Sequence, residues 1–260
     1  MNTARDLYPE ERRARILEYI SQAGRASVAD LSRQFSVSEV TIRADLQSLA
    51  EQRLVLRTHG GAVAANSRLL DDLSLAIRRK QQVLEKSRIG EAAATMIADG
   101  DAVFLDSSST ALAIAQHLRD HHDLTIITNS LAIASDLLAA PGVTVVMPGG
   151  RVRRDTASVI GPDGLNTLRK YNIQKGFFGA HGLSLPEGLT DVSEAEAEFK
   201  QPIVALCRRV IAVLDATKWG RVGLASFAAP EDIHCVITDS HAPTEMVDAV
   251  RQLGIEVVLV

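Results

Sequence analysis

The sequence has few aromatic residues, few cysteines, no long apolar run and no large excess of charge of either sign. Phe, Trp and Tyr make up 4% of the 260 residues, so we expect a core of Ala, Val, Leu and Ile, which suits packed helices and buried parallel strands. Hydrophobic residues at 46% and charged residues at 23% are typical of an ordered globular protein and argue against a disordered or fibrous one.

These absences also bear on location and partners. No apolar run approaches the roughly 18 residues that a membrane span needs, and the chain does not open on an apolar signal segment, so we expect a cytosolic protein. Cys207 and Cys235 stand far apart without Cys or His at metal-ligand spacing, which predicts two reduced, buried thiols. A net charge of −4 argues against a general nucleic-acid coat, so any DNA-binding surface depends on local arginines.

The first sixty residues contain three stretches with apolar residues at helical spacing. The apolar positions are Ile16, Leu17 and Ile20, then Val28, Leu31 and Phe35, then Ile42, Leu46 and Leu49. Ser27 and Ser38 stand where N-caps are expected, and Asp30 follows Ser27 at capping-box spacing. Two short extended runs, 54–57 and 62–63, flank the turn His59-Gly60-Gly61. We therefore predict a winged helix-turn-helix domain over residues 1–63.

A helix that enters the DNA major groove presents polar side chains opposite its buried stripe. The predicted DNA-binding residues of the third helix are Ser38, Thr41, Arg43, Ala44 and Gln47, and those of the wing are Arg57 and His59. Hydroxyl groups near the helix start can bond phosphates, and Arg43 can reach a guanine edge or a phosphate. The alternative is that the helix-turn-helix packs against another protein.

The rest of the chain divides into a linker, residues 64–85, and a larger α/β domain, residues 86–260. The basic run Arg78-Arg79-Lys80 within the linker predicts a solvated helix face. Short apolar strands then alternate with helices, which indicates a mostly parallel sheet covered on both faces. The predicted strands are 102–105, 124–127, 143–147, 177–178, 210–214 and 235–238.

Polar and flexible residues recur where these strands end. In an open α/β sheet, ligands bind beyond the carboxyl ends of the strands, and small hydroxyl residues at a helix start suit a phosphate. The predicted effector residues on this ground are Asp106, Ser107, Ser108, Ser109, Thr110, Asn129, Gly149, Gly150, Asp215 and Lys218. Helix capping is the alternative for each Ser and Asp taken singly; their recurrence favours a site.

The N-terminal stretch from Arg12 to Val63 resembles the DNA-binding domain of the DeoR family of bacterial regulators. Its motif elements are Val37-Ser38, Thr41-Ile42-Arg43, Asp45-Leu46 and Arg57-Thr58-His59-Gly60-Gly61-Ala62. The resemblance continues through Asp106 to Thr110, Thr128-Asn129-Ser130, Pro148-Gly149-Gly150, Gly188-Leu189-Thr190, Glu196, Lys200 and Asp215-Ala216-Thr217-Lys218. It implies a sensor domain similar in fold to sugar-phosphate isomerases and CoA transferases, with Glu196 facing a phosphorylated sugar. The sequence departs from the family at three positions. Ala44 stands where the family usually has a second basic residue, Ser108 where it has glycine, and Gln174 where it has aspartate.

Two further clusters of ionisable residues are explained more simply by helix ends than by metal binding or catalysis. His117, His121 and His122 include a pair at metal-binding spacing, but they stand at a helix C-terminus, where the dipole favours cations. Glu194, Glu196 and Glu198 open a helix, where acids are favoured for the same reason. We therefore predict no metal, no cofactor and no catalytic residue.

The resemblance implies a repressor of a carbohydrate-metabolism operon that binds double-stranded operator DNA and a phosphorylated sugar or related effector. A homodimer or homotetramer is expected, because paired DNA-binding domains match repeated half-sites. Two alternatives remain: a sugar-phosphate isomerase with an accessory domain, and a protein-interaction module at the N-terminus.

Overall fold

A computed structural model describes residues 9–23, 25–51, 54–58, 60–64 and 74–260. The chain falls into two compact units, Met1–Ser74 and Leu75–Val260. The finer division into 1–63, 64–85 and 86–260 stays a prediction. Within the described ranges, no helix has the length and apolar content to span a membrane.

The first unit is three helices and a small antiparallel sheet. The helices are α1 (Pro9–Ala23), α2 (Val28–Phe35) and α3 (Glu39–Glu51), and the strands are β1 (Arg25–Ser27), β2 (Val55–Thr58) and β3 (Gly61–Ala64). The strand order is β1-β3-β2, so the predicted hairpin gains a third strand that the sequence reading missed. Ser27 Oγ accepts from the Asp30 amide at 3.0 Å, which confirms the N-cap of α2.

The core of this unit is built from the predicted apolar positions. Ile16, Ile20, Leu31, Ile42 and Leu46 are completely buried, because residues three and four apart share one face of a helix.

One charged group is buried beside this core. The Asp45 carboxylate on α3 is 2% exposed and accepts from Arg12 Nε at 2.6 Å and Arg13 Nε at 3.0 Å. This ion-pair cluster joins α1 to α3.

The second unit is a seven-stranded sheet with helices on both faces and two smaller antiparallel sheets. Its helices are α4 (Leu75–Arg78), α5 (Val83–Ala94), α6 (Ser109–Ala115), α7 (Leu131–Leu137), α8 (Pro162–Leu168), α9 (Glu194–Leu206) and α10 (Thr244–Gln252). Its strands are β4 (Ala102–Leu105), β5 (Leu124–Thr128), β6 (Val143–Val146), β7 (Arg151–Arg153), β8 (Ser158–Ile160), β9 (Ile173–Phe178), β10 (Gly182–Ser184), β11 (Gly188–Asp191), β12 (Cys207–Val213), β13 (Ala225–Ala228), β14 (Cys235–Thr238) and β15 (Glu256–Leu259).

The large sheet has the order β15-β14-β12-β9-β4-β5-β6, and every neighbouring pair is parallel. Alternate strand residues enter different cores: Phe104 and Phe178 pack with α9 and α10, whereas Leu105 and Phe177 pack with α5 and α6. This confirms the predicted parallel sheet with helices on both faces. Strands β7, β8, β10, β11, β13 and β15 were not predicted.

The strand order reverses between β4 and β9. From β4 the chain builds β5 and β6 on one side, and it then returns to place β9 on the other. Such a reversal separates the loops that follow the two strands and opens a crevice at the carboxyl edge of the sheet.

The prediction that Arg78-Arg79-Lys80 forms a solvated helix face is wrong at its first residue. Arg79 and Lys80 are exposed, but Arg78, the last residue of α4, is partly buried. Its Nε atom is fully buried.

Candidate functional site

The exposed face of α3 carries most of the residues predicted to contact DNA. Ser38, Arg43, Ala44 and Gln47 are exposed, and Thr41 is half-buried. Ser38 Oγ accepts from the Thr41 amide at 3.1 Å, so Ser38 caps α3 as predicted. His59 lies outside the described residues.

The polar groups on this face are held by their neighbours on the helix and by the wing. Arg43 donates to Glu39 Oε2 at 2.6 Å, one helical turn earlier. Arg57 on β2 donates to Gln47 Oε1 at 3.1 Å, which ties the wing to α3. Val40, with 73% of its surface exposed, is an apolar member of this face that the sequence reading did not select.

At the carboxyl edge of the large sheet, Asp106 bridges the two strands between which the order reverses. It follows β4 and is completely buried. Its carboxylate accepts from the Ser108 amide and from the Gly179 amide, both at 3.0 Å. Gly179 follows β9, and a Cβ there would lie 2.4 Å from the Ser108 Cβ. The close approach of these two loops therefore requires glycine at position 179.

Lys200 on α9 connects this carboxylate to a second one. Its Nζ lies 3.0 Å from Asp106 Oδ2 and 3.1 Å from Asp191 Oδ2, and it also donates to the Gly179 carbonyl at 2.9 Å. Burial alone lowers the pKa of Lys200, but Asp106 and Asp191 outweigh it and raise that pKa. The two carboxylates therefore favour the charged form of the ammonium group. Lys200 was not among the predicted site residues, although its place four residues after Glu196 puts both on one face of the helix.

Two predicted effector residues have buried polar atoms without hydrogen-bond partners. Asn129, which follows β5, is 1% exposed, and neither its Oδ1 nor its Nδ2 has a partner. Glu196 accepts from Ser158 Oγ at 2.8 Å with Oε1, while Oε2 has no partner. Folded proteins satisfy nearly all such groups. Asn129 and Glu196 both adjoin the strand β8, since the Val159 amide donates to the Asn129 carbonyl at 2.8 Å.

The remaining loop residues divide into those used for capping and those that are not. Ser108 Oγ accepts from the Ala111 amide at 3.0 Å, and Asp215 caps the short 3-10 helix Ala216–Lys218. The capping alternative therefore holds for these two side chains. Ser107, Ser109 and Thr110 are at least nine-tenths buried.

A second cationic residue, Lys86 on α5, was also missed. Its Nζ donates to the carbonyls of Arg78 at 2.8 Å and Gln81 at 2.7 Å. Burial lowers the pKa of Lys86 to about 8, Asp215 opposes that shift, and the charges of Lys218 and Arg78 add to it. Lys86 therefore connects α5 to the end of α4.

Gly150 takes part in a different cavity. It has a φ of 141° and lines a cleft of about 630 Å³ together with residues of α8 and α9. No other predicted effector residue lines this cleft. Gly149 follows β6, and a Cβ there would meet nothing within 4 Å.

Gln174 has a structural explanation. Its side-chain oxygen accepts from the Ala102 amide at 2.7 Å. Ala102 begins β4 and Gln174 lies near the start of β9, so this contact is at the amino edge of the sheet, opposite Asp106.

No group of three or more His, Cys, Asp or Glu residues in the described ranges is arranged to hold a metal ion. His121 instead contacts Asp99, with Nδ1 3.0 Å from Oδ1.

Two family profiles match the chain. The profile "DeoR-like helix-turn-helix domain" matches residues 12–68, and the profile "DeoR C terminal sensor domain" matches residues 81–240. The chain is 33% identical over 251 residues to a "Putative aga operon transcriptional repressor" of Escherichia coli O157:H7, covering 96% of this chain and 93% of that protein. It is 31% identical over 244 residues to the "Glycerol-3-phosphate regulon repressor" of Escherichia coli K12, covering 94% and 96%.

Among solved structures, ribose 5-phosphate isomerase A of Methanocaldococcus jannaschii aligns with a TM-score of 0.38 at 14% identity. The alignment covers 52% of this chain and 53% of the isomerase.

Proposed function

The chain belongs to the DeoR family of transcriptional regulators, and from that membership we propose that it represses a carbohydrate-metabolism operon by binding operator DNA through its first unit. A phosphorylated sugar or a related metabolite, bound at the carboxyl edge of the large sheet, relieves that repression.

The exposed polar face of α3 supports the DNA-binding role. This helix buries Ile42 and Leu46 and presents Arg43, Ala44 and Gln47, the arrangement of a helix that reads the major groove. An arginine can bond both acceptors of a guanine edge, and an alanine can contact a thymine methyl group. We expect Arg57 in the wing to contact the neighbouring phosphates.

The test of this role is Arg43→Ala in the full chain, measured on duplexes selected from a randomised pool. We expect the variant to lose about 1–3 kcal/mol of binding free energy, the usual contribution of an arginine to base recognition. Arg15→Ala, an exposed arginine on α1, is the matched control and should bind as the wild type. An unchanged affinity and salt dependence for Arg43→Ala would favour the protein-interaction module instead.

The unpartnered side chains of Asn129 and Glu196 are the observation that carries the sensing role. An amide and a carboxylate oxygen, both buried without partners, are suited to the hydroxyl groups of a sugar. The buried Ser107, Ser109 and Thr110 offer hydroxyl groups for a phosphate, and Lys218 supplies a cation. Asn129, the residues 107–110 and Lys218 follow strands at the carboxyl edge of the large sheet, the usual place for a ligand in this kind of sheet, and Glu196 lies on α9.

A thermal-shift screen tests the sensing role with glycerol 3-phosphate, ribose 5-phosphate and other sugar phosphates, each beside its unphosphorylated parent. A ligand at one hundred times its Kd stabilises the folded chain by about 2.7 kcal/mol. We expect at least one phosphate ester to raise the melting temperature and to weaken operator binding, and its parent to do neither. If no ester changes either quantity, the sensing role fails.

The alternative of an enzyme has less support. The two relatives described above match almost the whole chain and are named as repressors. Gln174 lies at the amino edge of the sheet, away from Asp106. An isomerisation assay with pentose and hexose phosphates decides the matter: turnover that is lost in Asp106→Asn would establish an enzyme.

We also propose that the regulator is a homodimer or a homotetramer, because two DNA-binding domains double the number of bases read. Light scattering of the full chain, alone and with operator DNA, tests this. A monomer in both conditions would contradict it.

A further inference from the structure

Arg153, the last residue of β7, is largely buried although its two neighbouring arginines are not. Its side chain is 17% exposed, whereas Arg151 and Arg154 are exposed. Strands β7 and β8 pair as an antiparallel hairpin, residues 151–160. Arginine is almost never buried unless it is paired, so the partners of Arg153 are the reason for its burial.

The guanidinium group of Arg153 joins this hairpin to the start of α9. Within the hairpin its Nε donates to Asp155 Oδ1 at 3.2 Å, and its Nη2 lies 2.5 Å from Asp155 Oδ2. Its Nη1 donates to the Oγ of Ser193, the residue that caps α9, and lies 3.8 Å from Glu196 Oε1. A guanidinium group that bonds both oxygens of a carboxylate has a fixed geometry. Arg153 therefore holds Asp155 and the first turn of α9 in one arrangement.

The same hairpin also fixes the carboxylate of Glu196. Ser158 Oγ donates to Glu196 Oε1 at 2.8 Å and Thr156 Oγ1 donates to the same oxygen at 3.1 Å. These contacts, and the approach of Arg153, all meet Oε1, whereas Oε2 is buried without a partner. The hairpin thus sets the rotation of the carboxylate and leaves Oε2 to accept a hydrogen bond from a ligand hydroxyl group.

Asp155 connects the hairpin to the first residue of the second unit. The Leu75 amide donates to the Asp155 carbonyl at 3.0 Å, and Leu75 is 5% exposed. Leu75 begins both α4 and the second unit, which follows the DNA-binding unit in the chain. Asp155 therefore contacts Arg153 with its side chain and α4 with its backbone.

We propose that Arg153 is a positioning residue that connects the effector site to the start of α4. It orients Glu196 for the ligand, and it transmits a shift of Glu196 on effector binding to Asp155. The Asp155 carbonyl then transmits that shift to Leu75. Energetic coupling between two sites travels through packed side chains and hydrogen-bond networks, and the hairpin supplies such a network. The inference rests on the proposed function and adds a route of regulation to it.

The first experiment measures this connection without a ligand, by hydrogen exchange of the Leu75 amide in the full chain. Glu196→Gln removes the charge that Arg153 faces and should change this exchange rate about threefold or more, whereas in the Arg153→Met background it should change the rate by less than about 1.5-fold. Arg153→Lys, which keeps the charge but loses the bidentate contact, should give an intermediate result. In the control background Arg154→Met, Glu196→Gln should keep its full effect. Additive effects of Glu196→Gln and Arg153→Met would overturn the inference.

The second experiment tests regulation, with ribose 5-phosphate as the ligand and a selected operator duplex. At a concentration of the ester that saturates each protein, we expect operator binding to weaken about fivefold or more in the wild type and in Arg154→Met, and to change less than about twofold in Arg153→Met. Without the ester all three proteins should bind the operator equally, because Arg153 lies outside the DNA-binding unit.

The outcomes separate the inference from the proposed function. A full response of Arg153→Met at saturating ester would mean that Arg153 affects ligand affinity alone, which overturns the route to α4. A wild type that binds the operator and ignores the ester would count against the proposed sensing role, and the exchange of the Leu75 amide then decides the inference by itself.

Discussion

Replacing Asp45 with alanine should destabilise the DNA-binding unit while leaving the second unit intact. Asp45 is 2% exposed and joins α3 to Arg12 and Arg13 on α1. Removing one partner of a buried ion pair costs about 3–5 kcal/mol, because a buried charge then loses its compensation. The Arg13 side chain is 31% exposed and can turn to water, so we expect a loss near the lower end, about 3 kcal/mol.

That loss is large for a unit of this size. At about 0.05–0.15 kcal/mol per residue, sixty residues supply roughly 3–9 kcal/mol of folding free energy. Asp45→Ala should therefore remove between a third and all of the stability of the unit. The position of Arg43 and Gln47 on α3 depends on this fold, so operator affinity should fall with it.

The assay is amide hydrogen exchange of α3 in the full chain, with Trp219 fluorescence as an internal control. A loss of about 3 kcal/mol corresponds to exchange about one hundred times faster. Trp219 is the one tryptophan of the chain and lies in the second unit, so its urea midpoint should not change. The double variant Arg12→Met with Asp45→Leu should recover most of the stability, because apolar residues can replace a buried pair. A loss below about 1 kcal/mol for Asp45→Ala would show that the pair behaves as a surface salt bridge.

Three further predictions concern the second unit. Lys200→Met leaves the buried carboxylate of Asp106 and the partly buried one of Asp191 without their ammonium group and should lower the free energy of unfolding by about 3–5 kcal/mol; a urea midpoint within error of the wild type would contradict this. Gly179→Ala should cost about 1–3 kcal/mol through overpacking against the facing loop, whereas Gly149→Ala, with open space around the new methyl group, should be neutral in the same unfolding assay. Burial raises the pKa of Cys207 to about 12 and, together with a nearby carboxylate, that of Cys235 to about 11, so Ellman's reagent at pH 8 should react with neither thiol in the native chain and with both in urea.

Local patterns were sufficient for the helices of the first unit, because capping and apolar spacing act within a few residues. Ser27 caps α2 and Ser38 caps α3 as their spacing indicates. The strand β1 was missed because three residues without alternation carry no pattern, and only its pairing with β3 makes it a strand.

The candidate site was predictable at strand ends and, through the family resemblance, at Glu196. Asp106 and Asn129 follow apolar runs, so their position at the sheet edge could be read from the sequence. Lys200 contacts Asp106 from a helix whose packing depends on the whole fold. Arg78 is indistinguishable in sequence from Arg79, and the two differ only in what covers them.

The contact between Arg43 and Glu39 affects how this protein would search DNA. In the unbound chain the Arg43 guanidinium group donates a hydrogen bond to Glu39 Oε2 at 2.6 Å, as it would to a DNA phosphate. Arg57 and Gln47 satisfy each other in the same way. Every encounter with a duplex must first displace these internal partners, at a cost of roughly 0.3–0.5 kcal/mol for an exposed helical pair. This free-energy cost is the same on every DNA sequence, and only the base contacts of a matching site outweigh it. A genome presents about a million or more competing sites. A small free-energy cost that applies to all of them shortens the time that the protein spends on the wrong sites.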